Sequence, residues 1–300
     1  MRPTHAVIAV WTMFAALLAA IVVTYTRLPP EELYHVVGHG FVDGGLSRAV
    51  VYVSFPIGLA AVYLLLGLAD RMSRTQRRLA IVAFVLWTPV FSSRVVSQDF
   101  LDARWDNLFP AAAVALALAL SLTTPARVPE RIRGDRARIA VAAAFLVLAL
   151  PWIAAELGFD FTGVPVLGQV FQTHELRQQP GDPAFHPAVH YGDHHGLEAT
   201  LLLITALFGS RLLGAIRGKR LHTAFGLATG VLIAYSVMNI ANDAWLEQVA
   251  KRGWTSWVIP NVLEPRLSWG WLVILLGGFG LWLLGPSRDG HGRRLIQIGA

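Results

Sequence analysis

Eight stretches of this chain are apolar over roughly the 20 residues needed to cross a lipid bilayer, at about 6–25, 48–69, 79–96, 108–123, 138–157, 196–216, 222–242 and 267–284. In hydrocarbon every backbone N–H and C=O must be bonded within its own segment, so runs of this length read as helices. The sequence predicts an all-α, polytopic membrane helix bundle of about eight transmembrane helices, forming a single integral membrane domain over residues 1–300. The third run contains Pro89 and leads into Ser92, Ser93 and Arg94; the fourth is short but almost pure Ala, Leu and Val. The first follows Arg2 and His5 and ends in Val22, Val23, Thr24 and Tyr25, a poor cleavage site, so it reads as an uncleaved helix and not a signal peptide.

Charge placement tests this division independently. Only 15% of residues are charged and 55% are hydrophobic, against roughly a quarter charged in a soluble domain. With the N-terminus in the cytoplasm, the inner pieces are the N-terminus, 70–78, 124–138, 211–222 and the tail from 285; they hold 17 of the 25 Lys and Arg. The acids reverse the pattern, with 15 of 19 on the other side. This is the positive-inside distribution, and it places both termini in the cytoplasm of a multi-pass plasma-membrane protein of bacterial inner-membrane type. The net charge of +6 is thereby a topology signal, and a nucleic-acid partner loses its support. Trp87, Trp105, Trp152, Trp245, Trp254, Trp257, Trp269 and Trp271 fall near outer ends, as expected for an interfacial aromatic belt. The longest outer loop, at about 158–195, is rich in Gly, Pro, Gln and His and is too long for a plain connector.

The chain has no cysteine, which excludes disulfides, thiolate metal sites and cysteine nucleophiles. Seven of the ten histidines are on the outer side. Neutral imidazole is a common ligand for zinc, copper and iron, so a divalent ion of this group is the candidate cofactor. The richest segment runs from His186 through His190, Asp193, His194 and His195 to Glu198. Asp193 is a suitable N-cap for the sixth span, and Glu198 then shares a helix face with His194 and His195. Those residues could hold a metal, or the carboxylate could orient an imidazole for acid–base work. No known zinc spacing is matched, and a hydrated loop is the competing reading. His35 and His39 in the first outer loop are candidates to complete the ligand set, although Gly38, Gly40, Gly44 and Gly45 argue against a continuous helix there.

Three further groups stand out. Asp99, Asp102 and Asp106, with Arg94 and Arg104 nearby, could bind a metal–phosphate substrate, but a solvated charged face is the plainer account. Asn239, Asn242 and Asp243 share a face near the end of the seventh span, where an unpaired amide is costly; substrate contact and an interhelical hydrogen bond are equally natural roles. Lys251 and Arg252, beside Trp254 and Trp257, would suit a lipid phosphate or ordinary anchoring.

The expected function is a membrane-embedded enzyme, metal-dependent or acid–base, acting at the outer face on a lipid or lipid-linked substrate. Glu198, His195 and Asp193 are the expected catalytic residues; His186, His190, His194, His195, Glu198, His35 and His39 the metal ligands; and Asn239, Asn242, Asp243, Asp99, Asp102 and Arg94 the substrate contacts. The partners are membrane lipids. A transporter or a non-catalytic scaffold is the alternative. Transport sites lie near the bilayer midplane, where these spans carry almost no charge.

Overall fold

The computed structural model describes residues 5–29, 36–92, 94–95, 101–125, 132, 134–161, 163–170, 176–178, 185–187, 195–263 and 268–285. Within them the regular structure is helical apart from one short antiparallel pair of strands. Apart from a single helical turn at Leu167–Val170, the helices are α1 (His5–Arg27), α2 (Gly40–Arg71), α3 (Arg74–Trp87), α4 (Trp105–Thr123), α5 (Asp135–Leu148), α6 (Leu150–Glu156), α7 (His195–Ala215), α8 (Lys219–Ala250) and α9 (Trp269–Leu284). Strands β1 (Leu176–Gln178) and β2 (Phe185–Pro187) pair antiparallel, with Arg177 opposite His186.

Each apolar stretch of the sequence overlaps a helix, although the stretch at 79–96 is α-helical only as far as Trp87 and the one at 138–157 is divided between α5 and α6. By length and composition, α1, α2, α4, α7 and α8 can cross a membrane, and α5 with α6 makes a sixth span if their 57° bend lies within one crossing. The bend falls where Pro151 enters the first turn of α6, a position at which proline's missing N–H breaks an incoming helix. α3 has 14 residues and α9 has 16. Several helices turn apolar side chains outward, among them Ile81 and Val85 on α3, Val147 on α5, and Leu275 and Leu276 on α9. In water such faces would be a liability; they are compatible with an integral membrane protein.

Local chemistry explains where the helices begin and end. α3 starts at Arg74, earlier than its apolar run, because Ser73 and Gln76 form a reciprocal capping box. It gives way at Thr88 to a 3-10 turn containing Pro89. α2 extends well beyond its apolar run, through the glycines that argue against helix there. A π-helical turn, Gly40–Leu46, carries Gly40, Gly44 and Gly45, while Gly38 lies in the non-helical stretch before it. A Cβ on Gly44 would strike the Tyr25 carbonyl oxygen, and one on Gly45 the Thr26 hydroxyl, so these glycines let α2 lie directly on α1. A second π turn, Val53–Ile57, contains Pro56. There the Ser54 carbonyl accepts the Trp87 indole N–H at 3.0 Å, and Gly58 leaves room for that ring.

α2 is the hub, packing on α1, α3, α4, α7 and α8. Its buried face, including Leu64 and Leu68, meets Leu202, Leu203 and Leu212 of α7 and Phe225 of α8. Tyr63 stacks on Phe225 at 4.8 Å between centroids, and its hydroxyl shares a 2.9 Å hydrogen bond with Thr229. α8 and α9 cross so closely that a Cβ on Gly230 would collide with the Gly278 carbonyl oxygen. This is the small-residue crossing common between membrane helices.

The two ends of the bundle differ. At one, the Asp70 carboxylate accepts the N–H groups of Arg217 (2.6 Å) and Gly218 (3.2 Å), while Arg71 donates to the Ala215 carbonyl at 2.7 Å. There Asp135 also binds Arg211 (3.2 Å) and Arg138 (3.3 Å). The opposite end carries His39, His195 and the buried groups described next. Two expected belt residues belong to the interior instead: Trp87 and Trp152 are buried, the first held by Ser54 and the second lying on Gly196. Trp105, Trp254, Trp257 and Trp269 are exposed, as a belt requires.

Candidate functional site

Six buried ionisable side chains are gathered at the His195 end of the bundle among the described residues. The first turn of α7 supplies His195, half-buried, and Glu198, buried. Gly196 between them has no room for a side chain: a Cβ would lie 2.5 Å from the Trp152 indole of α6. Its N–H donates to Asp243 Oδ2 of α8 at 3.0 Å, so α8 caps α7 across 47 residues of sequence. Glu247 and Lys251 follow Asp243 at one-turn intervals. The Lys251 ammonium lies 2.7 Å from Glu247 Oε1, with both side chains at most 3% exposed. His195, Glu247 and Lys251 are all within electrostatic reach of Asp243.

A second group adjoins the first through α6, where Glu156 sits one turn beyond Trp152. The Tyr52 hydroxyl of α2 donates to Glu156 Oε2 at 3.3 Å. Arg48, the largest fully buried side chain among the described residues, lays its guanidinium over the Tyr52 ring at 4.5 Å and the Tyr25 ring at 5.6 Å. It also donates to the Leu101 carbonyl at 3.4 Å. The buried ionisable groups at this end of the bundle thus include Glu156, Glu198, Asp243 and Glu247 with Arg48 and Lys251. Groups of this kind at membrane depth are expensive to keep and are functional by default.

Several residues singled out in the sequence lie outside the described residues: His35, Asp99, His190, Asp193 and His194. His186 is in β2. His39 is exposed where the chain enters α2. Among the described residues no three His, Asp or Glu side chains come together to hold a metal ion. The N–H that an Asp193 cap would reach is the one bonded to Asp243. Asn239, Asn242 and Asp243, expected to act together, each turn to a different partner. Asn239 Nδ2 donates to the Tyr235 carbonyl at 2.9 Å and Asn242 Nδ2 to the Ile259 carbonyl at 2.6 Å. Asp102 clasps the first loop, accepting the N–H groups of Val37 (2.8 Å) and Gly38 (3.1 Å), while Arg94 is exposed. Lys251 is held by Glu247, not presented at the surface as lipid anchoring would need.

Sequence reasoning missed Arg48, Tyr52, Glu156 and Glu247. A signal was there: Arg48 and Glu156 are lone charges at the margins of apolar runs, and Glu247 and Lys251 have the i, i+4 spacing of a helical ion pair. Comparison with protein-family models, with curated proteins and with solved structures finds no match.

Proposed function

We propose that the chain crosses the membrane eight times with both termini in the cytoplasm, and that its buried carboxyls form an acid–base site at the outer face acting on a lipid or lipid-linked substrate. The observation that carries this reading is the convergence of Glu156, Glu198, Asp243 and Glu247, from three helices, on one end of the bundle. Asp243 and Glu247 are one turn apart beside a single lysine. Neighbouring carboxyls in unlike surroundings are how acid–base enzymes divide the donor and acceptor roles. His195 adds an imidazole that can carry a proton near neutral pH. A metal-assisted form of the same site would use His195 and Glu198, three residues apart on α7, with His194, His190, His186, His35 and His39 as further ligands. The confinement of these groups to one end of the helices suits chemistry at the membrane surface better than transport through its middle.

Dicyclohexylcarbodiimide, an apolar reagent that attacks protonated carboxyls, tests the site without knowledge of the substrate. Incubated with the full chain in vesicles, it should modify Asp243 or Glu247 in preference to exposed acids such as Asp43, with labelling falling as pH rises. Modification spread evenly over the surface acids, sparing the buried four, would overturn the reading.

A further inference from the structure

Below the buried carboxyls lies a cavity of about 590 Å³, within the range of small-molecule sites. α2 contributes Phe55, Leu59, Val62, Tyr63 and Leu66; the end of α3 and its 3-10 turn form one wall, and α8 with Trp271 of α9 the other. We propose that this cavity holds one hydrocarbon tail of the lipid substrate, drawn sideways from the surrounding leaflet. The inference names the substrate class of the site proposed above and rests on that reading in this respect alone.

Three observations carry it. The first is the chemistry of the wall, which is predominantly apolar and whose polar groups are few. The Tyr63 hydroxyl is bonded to Thr229, the Trp87 indole to Ser54, and Ser92 Oγ accepts the Arg94 N–H at 3.3 Å. Water needs two or more polar partners to occupy such a space, and a wall with few polar groups, these three already bonded at least once, favours hydrocarbon. The second is length. From Phe55 to Leu66 the floor runs roughly 16 Å at the helical rise, which matches the depth of a single leaflet, about half of a 30 Å hydrocarbon core. The third is continuity with the carboxyls. On α8, Ala228, Leu232 and Tyr235 wall the cavity, and the same stripe continues at one-turn steps to Asn239 and Asp243. Asn239 is 2% exposed, and its Oδ1 accepts no hydrogen bond among the described residues. A tail lodged against α8 would bring its polar head to that amide oxygen and then to Asp243. Asn239 would receive a hydroxyl or amide N–H from the head.

The test uses the full chain in phosphatidylcholine vesicles doped with a fatty acid bearing a diazirine at its methyl end. After irradiation, adducts are mapped by mass spectrometry. They should concentrate on the segments 55–66 and 228–235. Filling the cavity by Val62→Trp or Ala228→Trp should lower them about tenfold, while adducts on the outward Leu275 and Leu276 of α9 persist. If the tryptophan variants do not elute as a single species in detergent, Val62→Phe and Ala228→Leu serve in their place. Adducts no denser in the cavity than on α9, or unchanged in a filled variant that remains folded, would overturn the proposal. Asp243→Asn separates the two readings. Tail labelling that survives this change, with carbodiimide never reacting at the buried carboxyls, sinks the acid–base site alone. Carbodiimide reactivity without cavity labelling sinks the tail site alone.

Discussion

Replacing Lys251 by Met removes the ammonium 2.7 Å from Glu247 and leaves that carboxyl buried beside Asp243. Breaking one half of a buried ion pair costs about 3–5 kcal/mol, whereas replacing both halves by apolar groups is often near neutral. Lys251→Met should therefore lower the thermal unfolding temperature in detergent strongly, and Glu247→Leu with Lys251→Leu should recover most of the loss. A double variant as unstable as the single one would show that the pair matters for more than its charge balance. Gly196→Ala should cost about 1–3 kcal/mol by the same assay, because its methyl would overpack the Trp152 indole. At this scale the sequence was legible only in part. Glu198, His195 and Asp243 could be named because a charge beside an apolar run is conspicuous. That Asp243 reaches Gly196, or that Tyr52 reaches Glu156 across 104 residues, is set by helix packing and leaves no local trace.

The helices themselves were easier to read, since an apolar run of bilayer length has few other uses. The misjudged boundaries have identifiable causes. A capping box starts α3 five residues ahead of its expected start at 79, Pro89 follows its end, and Pro151 bends the fifth run. Gly44 and Gly45, in the first turns of α2, look like helix breakers in sequence, yet they serve as contact points against α1, where absence of a side chain matters more than intrinsic propensity. The same logic gives a graded test on α8 and α9. Gly230→Ala should destabilise by about 1–3 kcal/mol through its clash with the Gly278 backbone. Gly280→Ala, whose added carbon meets nothing within 4 Å, should stay within about 0.5 kcal/mol of the parent. Equal effects would mean that α9 is not held by this crossing.

For the whole molecule, the segregation of cations to one flank is the broadest statement the sequence makes, and it is directly testable. Because the chain has no cysteine, single introduced thiols label without background. Thr75 and Ser256 are exposed at opposite ends of the bundle. In intact cells Ser256→Cys should react with a membrane-impermeant maleimide, and Thr75→Cys only after permeabilisation. Labelling of both from one side would refute the proposed arrangement and with it the outer placement of the buried carboxyls. Sequence alone could not say which loop residues converge beneath that flank, because convergence depends on how helices distant in sequence are laid side by side.

The bare backbone contact of Gly230 with Gly278 also sets the mechanics of the bundle. With no side chain as a spacer at that crossing, α8 and α9 meet there like two planks glued edge to edge, with side chains such as Tyr235 and Trp271 filling the seam beyond it. α3 is a short leaf that adjoins α2 through the two residues Met72 and Ser73 and lies along α4. A bulky guest seeking the interior would thus meet a fixed jamb at the α8–α9 seam and, opposite it, a panel fastened at both ends, by the turn at 72–73 and by the Trp87 indole on Ser54.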